Sequence, residues 1–447
     1  LATEIWRALK TFINATDREM LTLAVPALGA LIAEPLYVLA DTAVVGNIGT
    51  AELGGLGLAT QVIGTVVAVS IFLAYGTTSS VSRLLGAGRD RDAANQAVQG
   101  LWIAVVAGIA FGAICFVLAP QLLRLLQAEG DVEHFGVRYL RVSVFGFPAM
   151  LLVMAGVGYL RGLKDTKRPL IVALVSAVGN LVLELILVFG FGFGVGASAL
   201  STVVFQWVAA SFYLVWIWSA AREFNVGWAP HAATLRALGR DGIDLFIRTS
   251  ALRASFVVAA AVAASIGDAE LGAHEIAFGL FFFLALALDA VAIAGQAMIG
   301  TLLGANDVPK ALVVGRRITA WGFGLGVFAT ALVLVLRPVL PDIFTNDPDV
   351  IAAAGGVLLL LAVTQPIAGV VFALDGILIG AGDMRYLAKA MVISALVFLI
   401  AVSFVIWSDG GINALWVAII VFMAARGVTM LWRLRGDDWA VAGDQRK

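Results

Sequence analysis

Apolar runs long enough to cross a bilayer recur twelve times along this chain of 447 residues. A membrane-crossing helix needs about 20 mostly apolar residues. Hydrocarbon offers no water to an unpaired backbone amide, so each such run must close its own hydrogen bonds as a helix. The first six runs lie near 20–46, 54–82, 96–118, 135–160, 169–191 and 194–218. The second six lie near 244–266, 272–300, 312–336, 350–379, 387–407 and 411–432. So many spans fit because 61% of the residues are hydrophobic and 13% charged, where soluble domains carry about 25% charged residues. The predicted class is an all-α polytopic membrane protein with twelve transmembrane helices. A soluble enzyme is excluded.

The loops set an orientation. Twenty-two Lys and Arg residues fall on the side that holds both termini, among them Arg83, Arg89, Arg161, Lys164, Arg240 and Arg316. The opposite side has Arg124, Arg138 and Arg337. Basic loops stay cytoplasmic, so both termini are expected there. Residues 1–19 read as an amphipathic lead-in, with Ile5, Trp6, Leu9, Phe12 and Ile13 on one face, and not as a removable signal peptide. A net charge of −1 gives no basic surface for nucleic acid.

The sequence also repeats itself in a single register, the one that carries Ile48 onto Ile266. Ile48-Gly49 and Glu52-Leu53-Gly54 return as Ile266-Gly267 and Glu270-Leu271-Gly272, and Leu84-Leu85-Gly86-Ala87 returns as Leu302-Leu303-Gly304-Ala305. Pro120, Pro148, Gly158, Gly162 and Asp165 fall on Pro338, Pro366, Gly376, Gly380 and Asp383. The chain therefore reads as an N-lobe (20–218), a charged cytoplasmic linker (219–243), a C-lobe (244–432) and a cytoplasmic tail (433–447). Six helices per repeat is an even number, so the two repeats are parallel and a central cavity is expected between them, as in transporters.

Several chemistries are missing from the sequence. There is no G-x-x-x-x-G-K-[ST] motif for nucleotide phosphates. His274-Glu275 begins like a zinc-protease helix, but position 278 is Phe, and no His or carboxylate set has metal spacing. Cys115 stands alone, so no intramolecular disulfide forms. The alternating glycines from Gly190 to Gly196 read as a flexible turn. No cofactor is expected. Without a nucleotide site, uphill work must draw on an ion gradient, which needs ion-binding groups at membrane depth.

Ionisable residues inside a membrane are costly and mark ion or substrate pathways. With a helical rise of about 1.5 Å per residue, Asp41, Glu184, Asn180 and Thr202 come out at comparable depth in the outer half of the N-lobe. Glu34 lies deeper in the first span. Asn180 and Glu184 share a helix face, being four residues apart. A carboxylate there can take up a proton, since desolvation and a second carboxylate both favour the neutral form; the same oxygens can coordinate Na⁺. A hydrogen-bonded stitch between helices is the plainer alternative. In the C-lobe, Arg253 matches the depth of Asp289, and Arg248 matches Asp375. Mutual neutralisation is the first reading there, a substrate or coupling role the second. Pro26 and Pro35 remove backbone hydrogen bonds from the first span, a static bend or a point where protonation of Asp41 changes the bend.

The run Pro35-Leu36-Tyr37-Val38-Leu39-Ala40-Asp41-Thr42-Ala43-Val44-Val45-Gly46 resembles the first-helix signature of multidrug and toxic compound extrusion (MATE) transporters. Leu85-Gly86-Ala87-Gly88, Arg161-Gly162-Leu163-Lys164-Asp165-Thr166 and Asn180-x-x-x-Glu184 accompany it. Glu34-Pro35-Leu36, Phe246-Ile247-Arg248-Thr249, Leu286-Ala287-Leu288-Asp289 and Ala294-Gly295-Gln296-Ala297 are similar to its DinF-like branch. The resemblance covers roughly 15–435. It implies two six-helix lobes around a V-shaped cavity and export of organic, often cationic, xenobiotics against inward H⁺ or Na⁺. It also implies a monomer in a bacterial cytoplasmic membrane, with a cation site at Asp41, Asn180, Glu184 and Thr202. Glu184 stands where the family commonly has Asp, which alters reach at the site; the DinF-like likeness leans toward H⁺. The nearest rival is a flippase for lipid-linked sugars or peptidoglycan precursor, disfavoured because only Arg248 and Arg253 could line a cationic cavity. A membrane enzyme or a scaffold is a more distant one.

Overall fold

In a computed structural model, which describes residues 14–436 and 438–443, the twelve apolar runs are twelve helices. They are α1 (Ala15–Gly46), α2 (Thr50–Gly86), α3 (Asp90–Leu125), α4 (Gly130–Gly162), α5 (Lys167–Gly190) and α6 (Val195–Glu223). The second six are α7 (Ala232–Ile266), α8 (Asp268–Gly304), α9 (Val308–Leu336), α10 (Pro348–Gly380), α11 (Met384–Trp407) and α12 (Ile412–Arg435). A short helix, Leu340–Phe344, lies between α9 and α10. The lead-in residues Ile5, Trp6, Leu9, Phe12 and Ile13 fall outside the described residues.

The helices outrun the apolar spans at several ends. α6 continues to Glu223 and α7 already begins at Ala232, so the connection is 224–231 and not the whole charged stretch 219–243. Charged residues end the apolar run without ending a helix, because Arg, Glu and Leu propagate helix well once in water. Gln99 and Trp102 of α3 hold this connection. The Gln99 side chain donates to Ala229 O (3.0 Å) and accepts from His231 N–H (2.8 Å), and Trp102 Nε1 donates to Trp228 O (2.8 Å).

The repeat of the sequence is a repeat of packing. α8 starts and ends at the positions that the repeat register assigns to the two ends of α2, and α10 stands in the same relation to α4. Gly158 of α4 lies against the backbone of Ala74, and its counterpart Gly376 of α10 lies against that of Ala292, the counterpart of Ala74. A Cβ at either glycine would collide with that backbone, so only glycine permits the approach. The turn after α2 has Gly88 at φ 70°, and its counterpart Asn306 has φ 60°; Asn is among the few side chains that tolerate this region.

The chain packs as two compact units, one of residues 29–242 and one of the start of the chain through Leu28 together with 243 onward. The divisions fall inside α1, between Pro26 and Pro35, and inside α7. α1 continues through both prolines. In the 29–242 unit, α2 to α6 bury Leu73, Val81, Leu101, Leu151, Leu160 and Tyr213 in one cluster. A second cluster gathers Leu56, Leu123, Leu140 and Phe147. Exposed apolar side chains such as Val106, Ile109 and Val117 on α3 form its lipid-facing surface.

The other unit takes the first turns of α1 through a polar clamp. Asn14 and Asp17 cap each other's backbone amides (2.9 and 3.0 Å). The same fully buried Asp17 carboxylate accepts from Arg317 Nε (2.6 Å), Arg317 Nη2 (2.8 Å) and Trp321 Nε1 (2.8 Å) of α9. In this unit the tail also folds back, with Trp439 buried and Gly443 N–H donating to Leu303 O (3.0 Å). Asp17→Ala removes the bidentate pair and the cap together. It is expected to cost roughly 2 kcal/mol, read as a lower thermal midpoint of the detergent-solubilised protein. An unchanged midpoint would show that the clamp contributes nothing.

Candidate cation site

Four helices of the 29–242 unit bring polar groups to one place. α1 supplies Tyr37 and Asp41, one turn apart near its C-terminal end, and α5 supplies Asn180 and Glu184 on one face. α6 supplies Ser198 and Thr202 in its first two turns, and α4 supplies Tyr139. Gly179 lets α5 and α6 close up, since a side chain there would collide with the Phe205 ring. Directly after Glu184, α5 widens to π-helical winding over Ile186–Gly190, closed by Phe191 N–H to Ile186 O (3.1 Å). Such single π turns are frequent at functional sites.

Asp41 is 5% exposed and Glu184 1%. Ser198 Oγ donates to Asp41 Oδ1 (2.5 Å) and Tyr139 Oη donates to Asp41 Oδ2 (3.3 Å). Tyr37 Oη and Thr202 Oγ1 are 2.7 Å apart, and Asn180 Nδ2 donates to Thr202 Oγ1 (3.1 Å). Hydroxyls and the amide therefore tie α1, α4, α5 and α6 together around the Asp41 carboxylate. Glu184 faces Asp41 and Ser198.

Three oxygens of this cluster remain without a hydrogen-bond partner among the described residues: Glu184 Oε1, Glu184 Oε2 and Asn180 Oδ1. All three are acceptors, all are buried, and all lie on one face of α5. Leaving a buried polar group unpaired costs about 1–3 kcal/mol, more for a charged one. A group that satisfies them must be a donor or a cation. The arrangement therefore fits a proton, which would turn one carboxyl oxygen into a donor, or a small metal cation gathered by several oxygens.

The structure brings together Asp41, Asn180, Glu184 and Thr202. Glu34 lies two turns before Asp41 on α1 and makes no hydrogen bond among the described residues. Tyr37 and Ser198 were within reach of sequence reasoning, each lying one helical turn before a named residue, Asp41 and Thr202. Tyr139 gave no such signal, since one tyrosine on a mixed helix reads as packing.

The charges of the other unit form a separate cluster. Asp375 Oδ2 accepts from Arg248 Nη2 (2.7 Å) and from Arg426 Nη2 (2.7 Å), with all three residues buried. Arg426 is an addition to the sequence reading, although a lone arginine within the last apolar run was its signal. The depth match of Arg253 with Asp289 does not become a contact. Arg253 is exposed, and no hydrogen bond or ion pair joins the two among the described residues. Equal depth fixes height along the membrane normal but not the direction a side chain takes around its helix.

Comparison with known proteins gives one pattern. A family model described as MatE matches residues 26–186 and 247–405. Over 440 residues the chain is 31% identical to Protein DETOXIFICATION 44, chloroplastic, of Arabidopsis thaliana, covering 94% of this chain and 83% of that protein. It is 26% identical over 444 residues to DNA damage-inducible protein F of Escherichia coli (strain K12), covering 96% and 95%. Its fold matches a crystal structure of MATE in the bent conformation with a TM-score of 0.86, at 22% sequence identity over 94% of this chain and 96% of that one.

Proposed function

The chain belongs to the MATE family of membrane transporters, and from that premise we propose that it exports organic, often cationic, compounds in exchange for protons entering the cell. The proposed setting is a bacterial cytoplasmic membrane with both termini inside, supported by the basic loops on that side. The observation that carries the coupling assignment is the trio of unpartnered acceptor oxygens on α5 beside the Asp41 carboxylate. A proton shared between Asp41 and Glu184 supplies the missing donor and cancels one of two facing negative charges.

Sodium fits less well. Both Asp41 oxygens already accept from Ser198 and Tyr139, and Thr202 Oγ1 is already engaged by Tyr37 and Asn180. The acceptors with no partner at all are concentrated on α5, whereas a metal ion draws on oxygens from several sides. A proton needs one donor and one acceptor.

In this reading the protonated and unprotonated cluster favour different conformations of the outer half of α1, which carries Tyr37 and Asp41. Substrate binds better to one of them. Each ligand shifts the equilibrium only by its differential affinity for the two forms, so a proton and a substrate that prefer opposite forms displace one another. The buried Arg248–Asp375–Arg426 cluster is assigned a structural role.

Proteoliposomes holding ethidium test the coupling ion when ΔpH and ΔNa⁺ are imposed separately. Dye movement is expected with ΔpH and not with ΔNa⁺. Movement driven by ΔNa⁺ alone would overturn the proton assignment while keeping the site.

A further inference from the structure

At the end of the 29–242 unit away from the cation cluster, four helices meet around a pocket of about 380 Å³. The first turn of α3 brings Asp90, the end of α4 Tyr159, the first turn of α5 Arg168, and the end of α6 Trp216, Ser219 and Glu223. The α6 residues form one stripe, because they recur at helical spacing. The apolar runs stop at this level: one ends at 160, one begins at 169 and one ends at 218. The pocket therefore stands at the depth of lipid headgroups, where Trp side chains gather. Trp218 of α6, exposed and with the Arg222 guanidinium over its ring (4.8 Å), marks the same boundary.

Tyr159 is 5% exposed and lines the pocket, yet its hydroxyl makes no hydrogen bond among the described residues. Asp90, Glu223 and Arg168 all lie close enough to this phenol to act on it electrostatically. Neither carboxylate has an ion-pair or hydrogen-bond partner among the described residues. The Arg168 guanidinium lies over the Trp216 ring (5.5 Å) and engages Asp165 through Nε (3.2 Å), which leaves its Nη groups open. The pocket thus presents donors that call for an anion, and two carboxylates that call for a cation with N–H groups. The repeat register puts Val308, Ile377 and Tyr386 at the counterparts of Asp90, Tyr159 and Arg168. The packing of a lobe does not require this polar set.

We propose that the pocket binds the phosphoethanolamine headgroup of a membrane phospholipid. The phosphodiester accepts from the Tyr159 hydroxyl and from Arg168, and the primary ammonium donates to Asp90 and Glu223. Both ends make charge-assisted hydrogen bonds, which are about twice as strong as neutral ones. Trp216 and Phe224 add aromatic surface that favours an ammonium group. The α6 stripe continues one turn deeper to Phe212, which meets Trp216 at 6.1 Å between ring centroids and is exposed at membrane depth. Acyl chains leave the pocket along that side. An anionic headgroup would set its charge against two carboxylates, and a choline headgroup has no N–H to offer them. Headgroup binding here is independent of the ion that drives transport.

The test gives delipidated protein in detergent equal amounts of phosphatidylethanolamine, phosphatidylcholine and phosphatidylglycerol with identical acyl chains. Native mass spectrometry then reads which lipid stays bound. Phosphatidylethanolamine is expected to be retained roughly tenfold over either competitor, the size of one charge-assisted hydrogen bond. Asp90→Asn combined with Glu223→Gln is expected to erase the preference over phosphatidylcholine. Tyr159→Phe, which keeps the ring and its packing, is expected to weaken retention several-fold. Equal retention of the three lipids, or preference for either competitor, overturns the proposal, and so does binding unchanged by the carboxylate substitutions or by Tyr159→Phe. Glycerophosphoethanolamine, the same headgroup without acyl chains, is expected to displace the lipid only in large excess. Displacement at equal concentration would overturn the lipid assignment in favour of a soluble phosphoester.

Discussion

Asp41→Asn reduces gradient-driven substrate movement in proteoliposomes to the leak of empty liposomes, with the protein still folded and inserted. Asn has nearly the shape of Asp, and its side-chain oxygen can still accept from Ser198 or Tyr139, which now make bonds of 2.5 and 3.3 Å. The Asn oxygen keeps one of these two bonds, and its Nδ2–H group donates to the other hydroxyl once that O–H turns away, so α1, α4 and α6 stay joined. The titratable carboxyl is lost, and with it goes the means by which a proton favours one form of α1. Glu184→Gln is milder. It removes the second carboxylate but leaves Asp41 to bind a proton, and loss of one charged hydrogen bond of about 1.5–3 kcal/mol weakens cation affinity by roughly 10–100-fold. Transport should then need a steeper proton gradient. Equal transport by Asp41→Asn and the unsubstituted protein, at matched amounts in the membrane, would place the coupling elsewhere.

Asp375→Ala is expected to cripple folding. Its carboxylate is the shared acceptor of Arg248 and Arg426, at 2.7 Å each, inside the packed core of α7, α10 and α12. Removing it leaves two guanidinium groups close together and stripped of that anion. Breaking a buried ion pair from one side costs about 3–5 kcal/mol, because the remaining charge keeps its desolvation penalty. The measurement is the yield of monodisperse protein after detergent extraction, which should fall steeply. Replacing Arg426 by Met in the same chain should recover part of the yield, since one of the two surplus charges is then gone. Normal yield from Asp375→Ala alone would show that the cluster is not structural and would favour a substrate role for it.

The parts of this molecule that were legible in the sequence share a physical cause. Hydrocarbon forces each apolar run into a helix, so the twelve spans could be counted directly. The repeat was visible in one unbroken register because close helix contacts admit only glycine, as at Gly158 and Gly376, and such positions cannot drift. Asp41, Asn180, Glu184 and Thr202 stood out because a polar group at membrane depth is rare. Tyr139 did not, since one tyrosine on a mixed membrane helix reads as packing. Helix ends were hidden for another reason: hydropathy reports where the bilayer stops, while α6 and α7 continue beyond it into the charged segment. Depth arithmetic identified Arg248 with Asp375 but also suggested Arg253 with Asp289, because it ignores rotation about the helix axis. The assignment of the inner part of α1 to the unit built from the second repeat was likewise invisible. It depends on the contact of Asp17 with Arg317, 300 residues away.

The central claim, that substrate and proton compete through the Asp41–Glu184 cluster, is tested most directly by counting protons released when substrate binds. Purified protein in weakly buffered detergent, with a pH indicator present, is mixed with saturating ethidium. By the reciprocity of linked binding, a substrate that prefers the unprotonated form must expel protons. The account predicts release of about one proton per protein from the Asp41–Glu184 cluster, which disappears in Asp41→Asn. Ethidium binding with no proton release, or with the same release from Asp41→Asn, would contradict it.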